Sequence, residues 1–243
     1  LKNGIPVFTG FSKNVFGFLN DLTNNNNTKW FNKNRERYLE DLVQPARSFV
    51  VGMSDFFNRL NPAIRTEPQF NKTLMRLNKD MRFTKGEPYR NYFLIHFGRF
   101  KMDTEFYVYF DPDNFDYGLF INNREDQDNF FFKKNIGRHR KDFLKILDKY
   151  EINNKYELLE LGKDTQEIVK KFDAHKHLDL LMDLKMAILQ KSLKQKDKRI
   201  YSPDFIIEAI KTFSNLYPLY CFSVSPQPLK LVEEFENLFG IIV

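Results

Sequence analysis

The spacing of apolar and polar residues divides the chain into three stretches. From about Lys13 to Thr23, Val15, Phe18, Leu19 and Leu22 share one helical face, with Ser12 placed to cap it. The run Asn24 to Asn27 breaks that pattern. Thr28 can cap a second helix, on which Trp30, Phe31, Asn34, Tyr38 and Leu42 keep helical spacing. Pro45 then opens a new helical stretch or marks a kink. Phe49, Val50, Met53, Phe56, Phe57 and Leu60 form another apolar stripe, which Asn61-Pro62 ends.

The period then changes from helix to strand. Met75, Leu77, Met81 and Phe83 share one parity, while Arg76, Asn78, Asp80 and Arg82 share the other. Gly86-Glu87-Pro88 makes a turn. Tyr92 to Phe97, Glu105 to Phe110 and Tyr117 to Ile121 read as three more strands. Asp111 to Asn114 joins the last two as an antiparallel hairpin.

Helical spacing returns from about Glu125 to Tyr150, with a break near Gly137. Tyr156 to Leu161 reads as a short strand, and Asp164 to Phe172 as a short helix capped by Asp164. Leu178 to Leu193 suits a helix by composition, although Met186 to Leu189 could pair as a strand. Ser202-Pro203 starts a helix to about Leu216, and a last helix spans Leu229 to Phe239. The expected fold class is α+β: one domain over residues 1–243, with a largely antiparallel central sheet flanked by N-terminal and C-terminal helices.

Composition narrows the function. With 42% hydrophobic and 29% charged residues, the chain is not intrinsically disordered. No apolar run approaches the ~18–20 residues of a membrane span. The one cysteine, Cys221, excludes an internal disulfide and a cysteine-built zinc site. No charged segment followed by an apolar one opens the sequence, so a cytoplasmic location is expected. The chain starts at Leu1 rather than Met, however, and a signal could have preceded it.

Charge is concentrated in one place. The net charge is +6, and Lys72 to Lys101 holds eight basic and two acidic residues; the remainder balances. Asn, Lys, Phe, Ile and Tyr all have A/T-rich codons, so their abundance follows base composition. Arginine does not, and its positions are more informative. On a strand, Arg76, Asn78, Asp80 and Arg82 project to one face at ~6.6–7 Å steps. Asp80 is close enough to orient Arg82, and an oriented guanidinium fork is a better anion receptor than a free one. Lys85 and Arg90 flank the turn and could close on the same anion.

The segment Arg76, Lys79-Asp80, Arg82-Phe83-Thr84-Lys85 and Pro88-Tyr89-Arg90 resembles the motif of the family called domain of unknown function 2461. The Asn run before Trp30-Phe31, the later His175 with Asp179-Leu180-Leu181, and Ser202-Pro203-Asp204-Phe205 with Tyr217-Pro218-Leu219 extend the likeness over roughly Phe11 to Phe222. Departures include a turn one residue short between Phe83 and Pro88, Lys79 for an arginine, and Lys176 for a proline. The resemblance implies a fold and no established activity.

Other constellations are weaker. His175-Lys176-His177 lacks the three or four fixed ligands of a metal site. Asp111, Asp113 and Asp116 suit a hairpin turn better than a calcium loop. Cys221 sits in an apolar context, as a buried hydrophobe would. Among the aromatics between the basic residues, Tyr89 is best placed for stacking on a base. The expected function is binding of an anionic or phosphate-bearing ligand, nucleic acid included, through Arg76, Asp80, Arg82, Lys85, Tyr89 and Arg90, without metal or cofactor. The alternatives are a hydrolase using Asp80 as base with Arg76 and Arg82 as electrostatic stabilisers, and a purely structural Arg–Asp network.

Overall fold

The computed structural model describes residues 4–82, 85–124, 130–162 and 165–240. Its class is α+β, with a six-stranded antiparallel sheet flanked by helices. The strands are β1 (Phe93–Phe97), β2 (Glu105–Phe110), β3 (Phe115–Asn122), β4 (Glu157–Glu160), β5 (Gln166–Val169) and β6 (Met186–Leu193). They lie in the order β1-β2-β3-β6-β4-β5. The helices are α1 (Val15–Asn24), α2 (Thr28–Lys33), α3 (Arg35–Arg37), α4 (Gln44–Leu60), α5 (Phe132–Lys149), α6 (Ala174–Asp183), α7 (Phe205–Val224) and α8 (Pro228–Phe239). A π-helical turn, Tyr38–Val43, joins α3 to α4.

The chain forms two compact units. One comprises Leu1–Phe97, Tyr107–Asp116 and Ser192–Glu208; the other comprises Gly98–Phe106, Tyr117–Lys191 and Ala209–Val243. Phenylalanine builds the core of the first. Phe11 meets Phe8, Phe49, Phe110, Phe115 and Phe205 at centroid distances of 4.7 to 5.7 Å. Such ring pairs each add about 0.5–1.5 kcal/mol beyond their burial. In the second unit, Phe213 and Tyr220 of α7 pack on Phe106, and Tyr217 packs on Phe235 of α8. Buried Asn135 ties α5 to this helix by donating to the carbonyls of Phe222 and Ser225, both at 2.8 Å.

Several elements depart from the sequence expectations. Ser12 does not cap α1: its hydroxyl accepts from the Asn14 amide and donates to Asp41. Asn27, not Thr28, caps α2 by accepting from the Trp30 amide. The stretch from Met75 is not a regular strand. It makes isolated bridges only, Leu74 to Ile95 and Asn78 to Tyr89, and Met81 on its apolar parity is 45% exposed. Phe83 on that parity lies outside the described residues. The break follows from Asp80, whose carboxylate accepts from the Arg82 amide and turns the chain there.

The helix expected from Asp164 to Phe172 is instead β5, paired antiparallel with β4; Asp164 itself lies outside the described residues. Pairing satisfies the backbone of a segment too short to hold a helix alone, and it places β-branched Val169 opposite buried Leu158. Residues 125–129, the expected start of α5, are also outside the described set. The expected break in that helix falls at His139, whose φ of −128° and ψ of 27° leave the helical region. The ambiguous stretch from Leu178 divides into the end of α6 and the whole of β6. Finally, α7 continues through Pro218 to Val224. Residues 212–224 are all buried, and burial on that scale outweighs the ~3 kcal/mol cost of an internal proline.

At one position β3 and β6 approach more closely than a side chain allows. A Cβ on Gly118 would lie 2.0 Å from the Leu189 carbonyl oxygen and 2.7 Å from the Gln190 Cα. Both obstacles are backbone and cannot swing aside. Gly118→Ala is therefore expected to destabilise the fold by at least the ~1–3 kcal/mol typical of overpacking. Urea denaturation measures this, and an unchanged midpoint would contradict the assigned strand contact.

Candidate functional site

The basic segment lies in the first unit as an irregular hairpin. The Lys79 amide donates to the Pro88 carbonyl and the Arg90 amide to the Leu77 carbonyl, both at 2.8 Å. Further along, the Met75 amide donates to Leu94 and the His96 amide to Thr73. The asparagine run fixes this hairpin from the side. Asn26 accepts from the Tyr89 amide at 3.0 Å and donates to the Tyr89 carbonyl at 2.9 Å, so one side chain pairs like a strand residue. The same amide donates to Glu87 at 3.1 Å. Asn27, next in the run, caps α2 and thereby sets the direction of the following helical segment.

The six residues expected to share a ligand are brought together only in part. Asp80 and Arg82 form a closed pair: Arg82 Nε and Nη2 donate to the two carboxylate oxygens at 2.9 and 2.7 Å. Arg90 is turned inward along the hairpin, donating to the carbonyls of Arg76 and Asn78 at 3.1 and 2.7 Å. Lys85 is exposed and forms no ion pair among the described residues. Tyr89 is only 4% exposed, and its ring stacks on Phe31 at 4.1 Å with planes 14° apart. That ring is core, withdrawn from stacking on a base.

Arg76 belongs to a different group of residues. Its guanidinium lies over the Phe70 ring at 5.7 Å, and Phe70 stacks with Tyr38 at 6.5 Å. Tyr38 is 8% exposed and is also flanked by Phe18 and Phe31. Arg35, three residues before Tyr38, is on the same side of the helical segment. Arg47 follows the π turn, whose wider winding shifts the face that α4 presents. Burial drives the Tyr38 hydroxyl pKa well above its ordinary value, against the opposing pull of the Arg76, Arg47 and Arg35 charges.

These three arginines act on one side chain, Tyr38, and share the absence of a counter-charge. Carboxylates pair with Arg37 (Asp21), Arg82 (Asp80), Arg99 (Asp103), Arg140 (Asp179) and Arg199 (Asp197). Among the described residues no carboxylate pairs with Arg35, Arg47 or Arg76. The Arg47 Nε is shielded from solvent and has no hydrogen-bond partner there. A buried donor left unmade costs about 1–3 kcal/mol. Sequence reasoning placed Arg76 and missed Arg35, Arg47 and Tyr38. The spacing of Arg35 and Tyr38 could have been read on a helix; Arg47 could not, because a π turn leaves no mark in the apolar pattern.

The remaining motifs have structural occupations. His175 Nε2 pairs with Asp148 at 2.8 Å, while His177 Nδ1 accepts from the Asp173 amide at 3.0 Å. Asp173 itself caps α6. No group of three or more His, Cys, Asp or Glu able to hold a metal occurs among the described residues. Asp111 accepts from the amides of Asp113 and Asn114 and closes the β2–β3 turn. Cys221 is fully buried, and its thiol pKa is pushed up by burial. No described helix is long and apolar enough to cross a membrane.

The side-chain and then the backbone hydrogen bonds from Arg82 hold the Asp80 carboxyl below its ordinary pKa. A carboxylate held ionised in this way is a poor proton acceptor at neutral pH. A depressed folded pKa means that Asp80 contributes stability above its unfolded value, and that this is lost as pH falls through the folded one. Asp80→Asn is accordingly expected to lower the melting temperature at pH 7, with the deficit closing as pH falls through the depressed folded value. Melting curves across pH check this, and a deficit that persists undiminished in acid would contradict it.

No curated protein matches this chain. A family model does, over residues 14–222, which include the hairpin, its Asn26 clamp and the arginines around Tyr38. On that coverage the chain belongs to the DUF2461 family of conserved hypothetical proteins.

Proposed function

We propose that the chain is a binding module for a small anionic, phosphate-bearing ligand, with Arg35, Arg47 and Arg76 as its cationic donors. The observation that carries this reading is the contrast among arginines. Arg82, Arg99, Arg140 and Arg199 are forked by an aspartate and Arg37 is paired with one, whereas Arg35, Arg47 and Arg76, whose charges all act on Tyr38, have no carboxylate partner among the described residues. Uncompensated like charges repel, and a fold that keeps them together gains when an anion arrives. The guanidinium forks also suit phosphate and carboxylate oxygens bidentately.

In this reading the Arg76–Arg90 hairpin supports the site. Asp80 and Arg82 fix the turn at residues 80–82, Arg90 braces its backbone, and Asn26 with Tyr89 anchors it to the helices. Lys85 adds positive potential at the rim. A base role for Asp80 is less well supported, because its carboxylate is committed to Arg82.

Thermal unfolding in potassium phosphate against potassium chloride of equal ionic strength tests the proposal. Ligand at 100 times Kd stabilises by about 2.7 kcal/mol, a shift of several degrees. The shift is expected in the wild type and in Arg82→Ala plus Lys85→Ala, and is expected to vanish in Arg76→Gln and in Arg47→Gln. A shift that survives both glutamine variants would overturn the assignment. Its loss in the Arg82 and Lys85 double variant alone would move the site to the hairpin tip.

A further inference from the structure

Resting on that reading, we infer that the group bound is a terminal, dianionic phosphate, as in a phosphate monoester or free phosphate, and not the diester backbone of a nucleic acid. Three cations without a carboxylate partner among the described residues leave a monoanion undercompensated, whereas a dianion offsets most of their charge. The donors differ in kind and in direction. Arg76 comes from the hairpin, Arg35 and Arg47 come from either side of the π turn, and Tyr38 offers a hydroxyl. Planar forks together with one O–H donor match the several acceptor oxygens of a terminal phosphate.

The surroundings argue against a polyanion. A nucleic-acid backbone is followed by a stripe of exposed, available cations. Here the neighbouring Arg37 is paired with Asp21, Arg82 is forked by Asp80, and Arg90 directs its Nη1 to two backbone carbonyls. The charges of Arg35, Arg47 and Arg76 all act on Tyr38, which with Phe31 and Phe70 forms a largely buried aromatic floor. An apolar floor lowers the local dielectric and strengthens attraction for a compact charge placed on it. The Tyr38 hydroxyl, held protonated by its burial, is available to donate.

The test is isothermal titration of the whole chain at pH 8 with phenyl phosphate, inorganic phosphate, dimethyl phosphate, acetate and a ten-residue oligothymidylate lacking a terminal phosphate. Phenyl phosphate and inorganic phosphate are expected to bind at least about tenfold more tightly than dimethyl phosphate or acetate. Tighter binding of phenyl phosphate than of inorganic phosphate would assign an organic monoester; equal binding would assign the phosphate group alone. Tyr38→Phe keeps the ring and is expected to weaken the dianions about three- to tenfold while leaving dimethyl phosphate unchanged. Arg76→Gln, a change at an exposed side chain, is expected to abolish dianion binding and serves if Arg47→Gln does not fold. Dimethyl phosphate or the oligonucleotide binding as tightly as phenyl phosphate, with loss in Arg76→Gln, would overturn the dianion inference and leave the anion reading standing. Absence of binding by every probe would overturn both.

Discussion

Guanidinium groups that face no carboxylate repel one another, so a fold that assembles three of them must hold them by other means. In this chain the means is an aromatic scaffold. Tyr38 is enclosed by Phe18, Phe31 and Phe70, and Phe31 stacks in turn on Tyr89. The stack joins the helices to the hairpin that carries Arg76, whose guanidinium rests on Phe70. Each ring pair contributes on the order of 0.5–1.5 kcal/mol. Several in series can hold the hairpin against the repulsion that Arg76 brings with it.

Polar contacts fix the geometry that the rings stabilise. Asn26 pairs with both backbone groups of Tyr89, so the hairpin cannot slide along the helices without breaking two hydrogen bonds. Arg90 secures the opposite strand through the carbonyls of Arg76 and Asn78. The π turn after α3 sets where Arg47 emerges. Such turns carry poorer backbone hydrogen bonds than an α-helix and occur often at functional sites.

Much of the architecture was legible because apolar period and turn chemistry agree. The β2–β3 hairpin is the clearest example, since Asp111 to Asn114 carries both the turn residues and the hydrogen bonds that close it. The misreadings arise where a side chain or a neighbouring element overruled the apolar pattern. Alternation from Met75 to Met81 looked like a strand, yet the Asp80 side chain captured a backbone amide and ended the pairing. The stretch after Asp164 reads as a short capped helix, but β4 offers it an edge. Pro218 should have ended α7, yet the helix is buried on every side from residue 212 to residue 224. At the site, the motif drew notice to a contiguous run of basic residues. Tyr89 and Arg90 of that run bind the hairpin itself, and the uncompensated charge lies between Arg76 and helical residues 29 to 41 positions earlier. Contiguity in sequence showed where charge accumulates, and only tertiary contacts showed which charges remain unspent.

The most direct test of this account is a crystal structure of the protein soaked in tungstate, a tetrahedral dianion that scatters anomalously. The account predicts an anomalous peak within hydrogen-bonding reach of Arg35, Arg47 and Arg76, above Tyr38. A peak at Arg82 and Lys85 with none beside Tyr38, or no peak on this unit at all, would contradict it.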